Sequence, residues 1–166
     1  VTDDVVGMAS LTAMLMSNGL DQDSYISQKH TFNIDDLIAG NTDAIAAYIS
    51  NEPFQMEKRG VDYTVFAPRD HGFDFYSDIL FTSQELYKNN PHLVDRFYHA
   101  SLQGWEYAFS HIEETVDLIL EKYNTQNKDR DALLYEANTL KQLAYEQGVP
   151  LGSLKRGRIR QIAQVY

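Results

Sequence analysis

Asp-Ala-Ile-Ala-Ala-Tyr-Ile-Ser-Asn-Glu-Pro-Phe, residues 43–54, is the stretch that decides the fold class. Ala44 through Ile49 form a nearly unbroken apolar run, which suits a strand covered on both faces. Ser50 and Asn51 then offer helix caps, and Glu52-Pro53 supplies an acid and a proline for a first helical turn. A strand that delivers polar residues to a helix start is the usual site geometry of an open α/β sheet, where ligands sit beyond the carboxyl ends of strands. Two readings of the polar knot stand: a helix cap without a ligand, or a ligand-gripping corner.

Upstream, Val1 reads as the tail of a strand, and Thr2, Asp3 and Asp4 as caps of a helix that runs to about Asn18 and stops at Gly19. Tyr25 to Phe32 is a weak alternating strand. Asn33 caps a short helix carrying Ile34, Leu37 and Ile38, closed by Gly40. Downstream, the helix entered at Glu52 ends near Arg59-Gly60. Asp62 to Ala67 and Phe73 to Thr82 alternate as strands, with Pro68 to Gly72 as a loop between them. The first half is thus β/α alternation, the pattern of a layered sheet with helices.

From Ser83 onward the strand signal fades. Ser83 caps a short helix to about Lys88, and Asn90-Pro91 opens a long one with proline at its first position. Leu93, Phe97, Ala100, Gly104 and Ala108 recur every three or four residues and predict its buried face. Ser110-His111-Ile112-Glu113 reads as a capping box for a helix to Tyr123. Asn124 to Lys128 is a polar loop, Asp131 to Glu146 is amphipathic, and a basic helix begins at Ser153.

Composition narrows the function. Of 166 residues, 43% are hydrophobic, enough for a core, and 14 basic residues against 24 acidic ones give a net charge of −10. That charge argues against a nucleic-acid or anionic membrane surface. With no cysteine, disulfides, thiolate metal sites and cysteine nucleophiles are excluded together. The histidines, His30, His71, His92, His99 and His111, follow no metal-ligand spacing, so no metal, cofactor or catalytic residue is expected. The loop Asp70-His71-Gly72-Phe73-Asp74-Phe75-Tyr76 concentrates aromatics and acids. Phe73 and Phe75 read as core by alternation, while Tyr76 breaks the alternation and becomes a pocket candidate. Trp105 reads as core packing.

Several motifs occur in a familiar order: Asp36-Leu37-Ile38-Ala39-Gly40-Asn41-Thr42-Asp43-Ala44, Asn51-Glu52-Pro53, Phe75 through Ser83, Asn90-Pro91 through Arg96-Phe97, and Gly104-Trp105-Glu106-Tyr107-Ala108. Together they resemble the NMT1/THI5-like periplasmic binding-protein family. The closing Gly157-Arg158-Ile159-Arg160-Gln161-Ile162-Ala163-Gln164-Val165-Tyr166 is similar to the last helix of such domains where they form the outer sensor of membrane-bound histidine kinases or diguanylate cyclases. The resemblance implies an α/β, type II two-lobed solute-binding fold, with the first lobe largely missing before Val1. It divides the chain into a second lobe with a small mixed sheet and flanking helices (1–75), a crossing strand (76–83), and a C-terminal helical segment that would pack on the first lobe (84–166). Exposed apolar surface on those helices would favour self-association, including a homodimer.

Carried over residue by residue, the implied ligand-binding residues are Asp4, Asn51, Glu52 and Tyr76, with Asp43 orienting the turn. Glu52 would accept hydrogen bonds from a ring N–H or an exocyclic amine. The implied function is a periplasmic, small-molecule-sensing segment of a membrane-anchored signalling protein, its ligand a heterocycle or amine. The alternatives are a solute receptor of an uptake transporter, a plain interaction domain, and the family's pyrimidine-synthesis activity, which the missing cysteines disfavour.

Overall fold

The computed structural model describes residues 2–3, 8–76, 78–145 and 149–165. Among the described residues β1 (Thr2–Asp3) and β2 (Gln28–Lys29) pair in parallel, Thr2 opposite Gln28 and Asp3 opposite Lys29. The helix α1 (Met8–Ser17) lies between them in sequence, so the three elements form one short βαβ crossover. Thr2 and Asp3, expected as helix caps, are therefore the strand itself, and Asp4 lies outside the described residues.

The remaining elements are helical. They are α2 (Asp35–Ile38), α3 (Glu52–Lys58), α4 (Gln84–Asn89), α5 (Pro91–Ser110), α6 (Ile112–Lys122), α7 (Arg130–Ala144) and α8 (Arg156–Val165). Single 3-10 turns occupy Gln22–Ser24 and Pro68–His71. The expected small mixed sheet is not shown among the described residues. Among the described residues, the run Ala44–Ile49 holds one isolated bridge, at Ile45, and the segments 62–67 and 73–82 form no strand. The physical reason is the origin of the hydrogen bonds. A helix satisfies its backbone from residues four positions away, whereas a strand needs a second segment alongside it. Without a ladder, the alternating side chains find no covered face, and Tyr48, Val65, Phe66 and Phe81 are all largely exposed.

By contact the chain divides into two units, Val1–Tyr76 with Leu154–Tyr166, and Ser77–Ser153. In the first, Met14 of α1, Ile34 and Met56 of α3 are buried. α1 packs against the turn at Pro68–His71 and against α8. The loop after α2 is tied together at Asp36. Its Oδ2 accepts from the Thr31 hydroxyl at 2.6 Å, and its Oδ1 from Asn41 Nδ2 at 3.2 Å. Both bonds hold the Asp36 carboxyl below its ordinary pKa, the Thr31 bond more strongly. Gly40, at φ 72°, makes the left-handed turn that brings Asn41 back onto Asp36.

In the second unit α6 packs against α7 and α5. Val116 is 1% exposed, and Phe109 and Leu133 are also buried. Phe109 sits between Trp105 (centroids 5.4 Å apart) and Tyr145 (5.7 Å, edge to face). Arg130 reaches from α7 back to Asp117 (2.9 Å) and Glu113 of α6, and these two carboxylates raise its pKa still further. The Ser83 cap, whose Oγ accepts from Leu86 N at 3.0 Å, and the helix start at Asn90-Pro91 stand where the sequence places them, although the Asn90 side chain caps no backbone N–H. The Ser110 capping box does not form. Ser110 is the last residue of α5, and its hydroxyl donates to the Glu106 carbonyl at 2.7 Å, leaving His111 between the helices. The expected buried face of α5 also differs: Leu93, Phe97, Ala100 and Gly104 are exposed, and Trp105 is 52% exposed. Phe109, next to the C-terminal end of α5, is buried instead and meets Tyr145 at the end of α7.

Candidate functional site

The turn into α3 is built by one carboxylate. Asn51 N donates to the Tyr48 carbonyl at 2.9 Å, closing a four-residue turn over Ile49 and Ser50. Glu52 completes it: Oε2 accepts from Tyr48 N at 2.7 Å and Oε1 from Asn51 Nδ2 at 2.8 Å. The Asn51 amide oxygen receives Gln55 Nε2 at 3.4 Å. Asn51 therefore stands at the N-cap position without capping a backbone N–H. Its amide is spent on the neighbouring carboxylate, and Pro53, which has no N–H, occupies the first turn where a donor would otherwise need an acceptor. Ser50 is nearly buried, and Asn51 and Glu52 are half-buried. Each Glu52 oxygen holds one of these donors and keeps acceptor capacity for another. Asp43 is exposed, next to the buried Thr42, whose hydroxyl donates to the Ala44 carbonyl at 3.1 Å.

Tyr76 is organised by a different element. Lys155 N donates to the Tyr76 hydroxyl oxygen at 2.9 Å, and the Arg158 guanidinium lies 4.1 Å from the ring centroid. The same guanidinium is fixed by the loop before Tyr76. Its Nε donates to the Asp74 carbonyl at 2.9 Å, and its Nη2 to the Phe75 carbonyl at 3.2 Å and to the Asp74 carboxylate. Gln161 Nε2 donates to the Gly72 carbonyl. Phe73 and Phe75 are half-buried, with rings edge to face at 6.5 Å.

The structure thus joins Asn51 to Glu52 directly, and it places Tyr76 under α8. Sequence reasoning missed Arg158, Asp74 and Lys155 as parts of this arrangement. Arg158 and Asp74 are 84 positions apart, and no local pattern links them. The only sequence signal was the basic run at the start of α8 facing an acid-and-aromatic loop of opposite charge. Among the described residues no cluster of histidines and carboxylates is arranged to hold a metal ion, and no helix is long and apolar enough to cross a membrane.

The chain is 26% identical over 93 residues to the formylaminopyrimidine-binding protein of Halalkalibacterium halodurans, an overlap of 55% of this chain and 28% of that protein. It is 28% identical over 113 residues to the riboflavin-binding protein RibY of Chloroflexus aurantiacus, covering 68% of this chain and 32% of that protein. Both relatives are ligand-binding proteins, and the chain spans about a third of their length. The family model described as NMT1/THI5 like matches residues 2–115, and the chain belongs to that family. No solved structure matches it.

Proposed function

We propose that this chain is the second-lobe and C-terminal portion of an extracytoplasmic solute-binding domain whose ligand is a flat nitrogen heterocycle. The observation that carries the reading is family membership together with two relatives named for a pyrimidine and for riboflavin, both ring systems that display N–H donors and acceptors on one edge. Asn51 and Glu52 supply the acceptor side of the contact, Tyr76 supplies an aromatic face and a hydroxyl, and Asp4 is a fourth contact. Ligand-driven closure of two lobes would follow the population-shift logic of such domains.

The parent protein on this reading is a membrane-anchored periplasmic sensor, and α8 passes the closure on. α8 supports the reading because it is tied through Arg158 and Lys155 to the segment that ends in Tyr76. A receptor for an uptake transporter is the second reading, favoured by relatives that are named simply as binding proteins. The test is calorimetric titration of the full protein with riboflavin and with cytosine, repeated in Glu52→Ala. Micromolar or tighter binding of either, weakened about tenfold or more in the variant, is the expected result. Absence of binding by every heterocycle in a thermal-shift panel overturns the proposal. The reading frame separates the contexts: a membrane span and an output domain after residue 166 support the sensor, and a neighbouring permease supports the receptor.

A further inference from the structure

The way Tyr76 is held selects among ligands. Its hydroxyl oxygen already accepts a hydrogen bond from Lys155 N at 2.9 Å. A phenol has one O–H to donate, and among the described residues no acceptor takes that proton. The Tyr76 hydroxyl is therefore poised as a donor and calls for a ligand carbonyl or an unprotonated ring nitrogen. One face of the ring is occupied by the Arg158 guanidinium at 4.1 Å, so a ligand must use the ring's edge or opposite face. A second cation there would meet both a ring whose quadrupole is already engaged and a fixed positive charge behind it. Asp74 partly offsets that charge, yet it lies on the guanidinium fork and not on the ring. Arg158 is held in this pose by two backbone carbonyls as well as by Asp74, and its side chain is only 20% exposed, so the arrangement is a fixed one.

We infer that Arg158 is a positioning residue for specificity: by backing the Tyr76 ring it makes the site select neutral heterocycles bearing a hydrogen-bond acceptor and reject flat cations and amines. The inference rests on the proposed binding role of Tyr76 and goes beyond it by naming the charge and polarity of the ligand. Lys155 meets Tyr76 through its backbone N–H.

Two probes separate the outcomes. Riboflavin is flat, neutral and rich in carbonyls, and proflavine is flat and cationic without a carbonyl. Both are titrated by fluorescence into the full protein, wild type and variants. In the wild type riboflavin binds at least about tenfold more tightly than proflavine, as one well-placed hydrogen bond and one avoided like-charge contact require. Arg158→Ala narrows that ratio by about fivefold or more, mainly by admitting proflavine, and Arg158→Lys, which keeps the charge, recovers part of it. Tyr76→Phe weakens riboflavin by about tenfold and leaves proflavine unchanged.

If Arg158 serves only the fold, both affinities fall together in Arg158→Ala and the ratio stays fixed, which overturns the inference. A wild type that prefers proflavine overturns it as well. A wild type that binds neither these probes nor any pyrimidine overturns the binding function itself, and with it this inference. Should Arg158→Ala fail to fold by circular dichroism, Arg158→Lys and Tyr76→Phe carry the same test: a wild-type riboflavin affinity in Tyr76→Phe refutes the hydroxyl's donor role.

Discussion

Replacing Glu52 by alanine measures how much its carboxylate contributes by tying the turn into α3. In the structure the carboxylate does so through two short bonds, to Tyr48 N at 2.7 Å and to Asn51 Nδ2 at 2.8 Å. Hydrogen bonds to a charged group contribute about 1.5–3 kcal/mol each where water is excluded. Here the turn is half-open, and water replaces much of what is lost, so the two together amount to about 1–2 kcal/mol. For a protein of this size that is a fall in Tm of about 3–6 °C.

Glu52→Gln keeps one carbonyl oxygen but sets an NH2 against either the Tyr48 N–H or the Asn51 amide. It is expected to lose about 1 kcal/mol and not to behave as a neutral substitute. Thermal and urea denaturation monitored by circular dichroism give the totals. Amide exchange localises them: Tyr48 N–H loses protection in both variants, whereas amides of α6 and α7 do not change. A Glu52→Ala protein within about 0.3 kcal/mol of wild type, with Tyr48 still protected, refutes the assignment of the turn to this carboxylate.

Val116→Ala, at the most deeply buried side chain of α6, is expected to cost about 2 kcal/mol by urea denaturation, while Leu118→Ala, at a half-exposed neighbour on the same helix, stays within about 0.5 kcal/mol. Gly152→Ala places a Cβ 2.7 Å from Leu102 Cδ2 on a backbone at φ 76°, so stability falls by about 1–2 kcal/mol even after the methyl rotates away; an unchanged urea midpoint refutes this. Asp36 gives a pH signature. Its folded-state pKa lies below the ordinary value of 3.8, so its stabilisation is present above that value and is lost as pH falls through the folded pKa. Asp36→Asn is accordingly less stable than wild type at pH 6, and the gap closes as the pH drops below about 4; a gap of constant size in Tm measurements contradicts the Thr31 and Asn41 bonds.

The sequence alone located most of the helices and several of their ends, though not the start of α1 or the break after Ser110. Ser83, Asn90-Pro91, Gly19, Gly40 and Gly60 act through backbone geometry and hydrogen bonds spanning a few residues, so their effect is written in the local chain. The order of short motifs also pointed to the family that the 2–115 match establishes. Tertiary structure decided everything that needs a distant partner. The apolar run 44–49 has the composition of a buried strand, yet a strand exists only where another segment completes its ladder, and here Ile45 alone forms a bridge. Leu93 and Phe97 have helical spacing, but which face of α5 is covered depended on where α6 and α7 dock. The same holds at the candidate site. Glu52 and Asn51 were legible because they are adjacent, while the hold of Arg158 on Asp74 and Tyr76 joins residues more than eighty positions apart, a closeness only the folded chain creates.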